Sequence, residues 1–150
     1  MTFRWVVPQA VEEDLAAASL ATGRPKSRLV EEVWARERGT VLALAPGSEP
    51  TRRGQPADVR VAEMRDAALP LQAARESAAL GGGRFPVGWR EEQLFCREAF
   101  VRELSRESDR LGVDESALLL FCWRRQEDRA RGRGGYSWNA AVARRLLADE

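Results

Sequence analysis

The sequence contains no histidine, and Lys26 is its single lysine. Lack of histidine removes the commonest general base near neutral pH and the commonest metal ligand, so the chain is expected to be non-enzymatic, with no metal and no cofactor. Cysteine is scarce: Cys96 and Cys122 form neither a C-x-x-C pair nor a zinc spacing, and their apolar surroundings point to core packing. No apolar run approaches the roughly 20 residues of a membrane span. The N-terminus also lacks the basic-then-apolar order of a signal peptide, so a cytoplasmic protein is expected. The carboxylate pairs Glu12-Glu13, Glu31-Glu32 and Glu91-Glu92 are neighbours in sequence, and neighbours on a helix point apart. Gly81-Gly82-Gly83 is not followed by Lys-Ser/Thr, which excludes a P-loop and suggests a hinge.

What remains is a chain of 150 residues, 44% hydrophobic and 31% charged, enough for one or two small domains with a modest core. Lys+Arg total 24 against 23 Asp+Glu, a formal net charge of +1, so any basic surface must be local. Arginine carries almost all the positive charge. It suits bidentate contacts to phosphate and guanine, although a high-GC genome gives the same bias.

The strongest signal is internal repetition. Residues 8–38 align without gaps on residues 97–127: Leu15, Ser19, Gly23, Ser27, Leu29 and Trp34 meet Leu104, Ser108, Gly112, Ser116, Leu118 and Trp123. Each glycine follows a helical apolar stripe, Val11, Leu15 and Ala18 in one copy, Phe100, Leu104 and Leu111 in the other, and reads as a left-handed C-terminal cap. Ser27 and Ser116 stand at the start of a second helix in each copy, where a hydroxyl can satisfy free backbone N–H groups. Before each helix pair lies a short extended segment, residues 2–7 ending at Pro8 and residues 92–97. The second helix of copy two is apolar on every side from Ala117 to Trp123 and must be enclosed.

A strand, a helix ending in glycine and a second helix opening on a serine-containing turn resemble the ribbon-helix-helix (MetJ/Arc, CopG-like) family of bacterial DNA-binding proteins. Val7-Pro8 and the run Ala21-Thr22-Gly23-Arg24-Pro25-Lys26-Ser27-Arg28-Leu29-Val30-Glu31-Glu32-Val33-Trp34 carry the likeness. The resemblance implies a mainly α fold with a short antiparallel β-ribbon, a tandem of two such units, in which the copies pair within one chain as a pseudo-dimer or each pairs with another chain. Copy one covers residues 1–40, a linker with helical segments residues 41–88, a divergent copy two residues 89–131, and a C-terminal helix residues 132–150.

It further implies a sequence-specific double-stranded DNA-binding protein, a transcriptional regulator that inserts the ribbon into the major groove. Alternation of the strand turns Phe3, Trp5 and Val7 inward and leaves Thr2, Arg4 and Val6 outward as candidate base contacts. The repeat equivalent of Arg4 is Gln93, flanked by Glu91 and Phe95, and it joins them as a base contact. Arg24, Lys26, Ser27 and Arg28 are the candidate phosphate contacts at the N-terminus of the second helix of copy one. The matching turn of copy two carries Asp114 and Glu115, which would repel phosphate; Asp114 reads as an N-cap, and asymmetric binding is expected.

Between the copies, residues 46–56 are rich in turn formers and read as a flexible linker. Residues 41–45 suit either a strand or an extension of the preceding helix, and residues 58–69 a helix that Pro70 interrupts before residues 71–80 resume it. Arg129, Arg131 and Arg133 near Tyr136 are possible auxiliary nucleic-acid contacts, or a solvated loop. Ser137 caps an amphipathic last helix containing Trp138, Ala141, Val142 and Leu146. The other function open at this point is a protein-interaction module, antitoxin-like or a phage or accessory factor, that uses residues 57–80 or 137–150 to hold a partner protein.

Overall fold

The computed structural model describes residues 1–45 and 59–131, with side chains as far as residue 128. In chain order the elements are β1 (Thr2–Pro8), α1 (Gln9–Thr22), α2 (Lys26–Leu42), α3 (Val59–Leu80), β2 (Trp89–Phe95), α4 (Glu98–Leu111) and α5 (Glu115–Arg131). Strand-helix-helix thus occurs twice, with α3 between. The linker at residues 46–56 and the C-terminal helix at 137–150 lie outside the described residues, as do the side chains of Arg129, Arg131 and Arg133.

Neither strand could satisfy its backbone alone. β1 and β2 pair antiparallel, from Thr2 opposite Phe95 to Pro8 opposite Trp89, so the ribbon forms within one chain. Its register places Arg4 directly opposite Gln93. These two residues are repeat equivalents, so an internal two-fold axis passes between them. The same axis reappears among the helices: the Gln126 amide donates to the Glu37 carboxylate at 2.6 Å, and these residues also lie 89 positions apart.

The inner face of the ribbon contributes Phe3, Trp5, Val7 and Leu94 to one core with Leu15, Leu29, Val33, Trp34, Leu104, Leu118 and Trp123. The matched tryptophans are core anchors. Trp123 packs edge-on against Trp5 with centroids 5.9 Å apart, and Trp34 against Phe100 at 6.4 Å. Cys96 and Cys122 are buried free thiols. Burial, then the nearby Glu31 carboxylate, pushes Cys96 up to about 11, while burial raises Cys122 further still.

Both copies end their first helix in the same way. Gly23 and Gly112 take φ of 70° and 64°, the left-handed region that a glycine enters without a Cβ penalty. Ser19 Oγ donates to Arg24 O at 2.6 Å, and Ser108 Oγ donates to Val113 O, its repeat equivalent. The second helices start differently. Asp114 accepts the Ser116 N–H at 2.8 Å and is an N-cap as expected, but α2 opens after Pro25 with no side-chain cap, so Ser27 does not take the capping role assigned to it.

Residues 41–45 continue α2 as far as Leu42 rather than forming a strand. Guanidinium groups close two helix C-termini: Arg110 donates to Leu44 O and Val41 O at 2.7 and 2.9 Å, and Arg65 to Leu111 O at 2.7 Å.

α3 departs most from expectation. It runs unbroken from Val59 to Leu80 with Pro70 inside it. Proline removes one i→i−4 bond and crowds the preceding turn, yet the flanking turns stay helical because they are held by packing: Val61, Met64 and Ala68 join the core, and Leu71, Ala74 and Ala78 are buried too. The glycine triplet ends this helix. Gly83 N–H donates back to Ala78 O at 2.7 Å while Gly82 sits at φ 71°, a left-handed helix stop. α3 lies on α5, which encloses the all-round apolar stretch at Ala117 and Leu120.

Candidate functional site

The outward side of the ribbon carries three cross-strand pairs: Thr2 with Phe95, Arg4 with Gln93, and Val6 with Glu91. Thr2, Arg4, Glu91, Gln93 and Phe95 are all exposed. Arg4 forms no ion pair with any described residue, so its guanidinium stands available at the centre of the face, beside the Gln93 amide. That centre offers five N–H donors from one side chain and an amide donor and acceptor from the other.

Val6 requires a correction. It occupies an outward position but is only 2% exposed, and it is not part of the main core. β1 meets β2, α1, α3 and α5, and the Val6 N–H donates to Ser116 Oγ of α5, the same hydroxyl that the Arg75 guanidinium of α3 reaches, so α3 and the start of α5 close this corner together. Strand alternation alone leaves this position open, and it is packing by elements distant in sequence that buries it.

α3 also fills the flank of the ribbon in copy two. Arg75 pairs with the Asp114 carboxylate and donates to Ser116 Oγ at 3.0 Å, and that same oxygen accepts the Val6 N–H at 3.0 Å. Trp5 Nε1 donates to Ser116 O at 3.1 Å. The N-terminus of α5 is thereby occupied by the chain's own carboxylate and guanidinium, and Ser116 is buried. No local pattern announced Arg75, which is brought to this turn only by the packing of α3.

The flank in copy one is open and its chemistry is inverted. Arg28 and Glu31 stand where copy two has Ala117 and Leu120, and Lys26 where it has Glu115. The four residues expected to hold phosphate are brought together here, but their charges are already engaged. Arg24 grips Glu32 with one nitrogen 2.7 Å from both carboxylate oxygens, and its side chain is 11% exposed. Lys26 reaches across to Glu92 at 3.0 Å. Arg28, 54% exposed, shares Glu32 at 3.3 Å and is the cation best placed to turn outward. Ser27 is partly exposed at the uncapped helix start. With Glu31 beside Arg97 at 4.0 Å, four cations stand among three carboxylates, Glu31, Glu32 and Glu92, a locally positive but largely compensated flank.

Elsewhere, the apolar side of α3 within residues 57–80 is turned onto α5 and β1 rather than outward. Among the described residues no cluster of His, Cys, Asp or Glu is placed to hold a metal ion, and no helix is long and apolar enough to cross a membrane. Compared with known proteins, the chain matches no protein-family model, no curated protein and no solved structure.

Proposed function

We propose that the chain is a non-enzymatic, sequence-specific double-stranded DNA-binding protein, a transcriptional regulator of the ribbon-helix-helix kind, which presents the outward face of its intrachain ribbon to the major groove. The observation that carries this reading is the exposed Arg4 without an ion pair, held directly opposite Gln93 at the internal two-fold. A two-stranded ribbon fits the major groove, where arginine pairs with guanine O6 and N7 and glutamine with adenine N6 and N7. Arg28 and the uncapped start of α2 supply the phosphate contact on one flank. Arg24 and Lys26 serve mainly by holding Glu32 and Glu92.

The test is a gel-shift titration of the whole chain against duplexes selected from a random pool. Arg4→Ala should weaken the selected duplex by about 1–3 kcal/mol and relax preference at one position. Arg28→Ala should weaken all duplexes alike and lower the salt slope by roughly one unit. Absence of duplex binding at low salt overturns the reading.

A second reading has its own observation. Phe95 is 78% exposed, Glu91 lies on the same face, and the flanking cations are already compensated. These features suit a protein-interaction module, antitoxin-like or a phage or accessory factor. Retention of a stable protein partner by a chain that binds no duplex would favour it.

A further inference from the structure

The internal two-fold makes Val6 and Phe95 equivalent positions, one at each end of the ribbon's outward face. Their surroundings are opposite. Val6 is buried, and beside it Arg75 closes the start of α5. Phe95 stands uncovered next to Thr2, on the side where Lys26 of α2 reaches β2 through Glu92 and Glu31 accepts the Arg97 N–H at 2.6 Å. A second helix could not cover Phe95 as α3 covers Val6, because the apolar floor that α3 uses, Ala117 and Leu120, is replaced there by Arg28 and Glu31. The open corner thus combines one large apolar ring on the ribbon face with a charged flank of net positive sign. A nucleic-acid groove offers that combination: phosphates along its edge and, inside, the thymine 5-methyl as its apolar feature.

Resting on the DNA-binding reading, we propose that the protein engages the duplex from one side of its internal two-fold, with Phe95 as a specificity-determining residue that packs on a thymine methyl next to the step read by Arg4 and Gln93. The Val6 corner takes no part, since α3 occupies it. The bound site is accordingly non-palindromic, and one chain binds one site.

Uracil differs from thymine only by that methyl group, so the test is chemical. Duplexes selected from a random pool by the full-length protein are resynthesised with uracil at each thymine in turn. The expected result is one position where the exchange weakens binding about fourfold, the value of one buried methyl, and where Phe95→Ala binds the thymine and uracil duplexes equally. Hydroxyl-radical footprints should show stronger phosphate protection on one flank than on the other. A duplex that binds with no thymine-to-uracil penalty, or with a penalty that survives in Phe95→Ala, overturns this inference and leaves the DNA reading standing. Palindromic selected sites with equal protection on both flanks overturn it as well. Failure to select any duplex overturns both.

Discussion

Glu103 joins the halves through single side-chain contacts. Arg38 donates to both its carboxylate oxygens at 2.7 Å, and Trp34 Nε1 donates to one of them at 2.7 Å. The hydrogen bond from Arg38 is the main reason its carboxyl is held down at about 2, against an ordinary 4.5. A group depressed on folding contributes stability that is complete above its unfolded pKa and is lost as pH falls through the folded one. Glu103→Gln should therefore lower stability at neutral pH by on the order of 1 kcal/mol, a small figure because the Arg38 side of the pair is solvent-screened. It should also flatten the acid limb of a thermal-melt series between about pH 4.5 and pH 2. A variant as acid-sensitive as the parent across that window would dismiss Glu103 as a contributor.

Among single residues, the sequence made some roles plain and hid others. Gly23 and Gly112 were legible because a left-handed helix stop demands a residue without a Cβ, and both lie at the end of an apolar stripe. Arg4 and Gln93 were legible as repeat equivalents, and the register makes them cross-strand partners. Ser27 was misjudged because a serine near a helix start caps only when it precedes the first turn, and here Pro25 takes that place. The pairing of Arg24 with Glu32 was hidden because long side chains choose partners by proximity in the folded chain.

At the scale of elements, both strand-helix-helix units and the helical character of residues 58–80 follow from local signals, whereas the continuity of α3 through Pro70 does not. Its interior proline argues for a break, and only burial along one whole side keeps it helical. Its docking converts one sequence expectation, an outward and accessible Val6, into a closed corner. Arg75 is the polar tie at that corner, bonded to Asp114 and Ser116. Arg75→Ala should loosen the second half of α3 at a cost of about 1–2 kcal/mol. Faster amide hydrogen exchange at residues 71–80 with unchanged exchange in α1 is the expected result. Uniform acceleration across all helices would mean that α3 has no separate stability and opens only with the whole fold.

For the molecule as a whole, intrachain pairing of the ribbon predicts a single chain of 16.8 kDa in solution by light scattering. The pairing is held at its centre by Glu37, fully buried, which accepts from Arg125 at 2.9 Å and from Gln126 at 2.6 Å. Two identical first copies facing each other would bring two Glu37 carboxylates together at that point, so the buried polar contact favours unlike halves. Glu37→Ala should destabilise the fold by about 3 kcal/mol through the buried donors it deserts. A change below about 0.5 kcal/mol in denaturant unfolding would contradict the central place given to it.

Because the two-fold lies inside one polypeptide, every substitution enters the molecule once. In an assembly of identical subunits a new side chain on one strand arrives together with its mirror on the other, and both must suit the same target. Here Arg4 can change while Gln93 stays, and Phe95 can be enlarged without disturbing the space that Val6 shares with α3. Each end of the ribbon is free to acquire its own chemistry at the cost of a single codon.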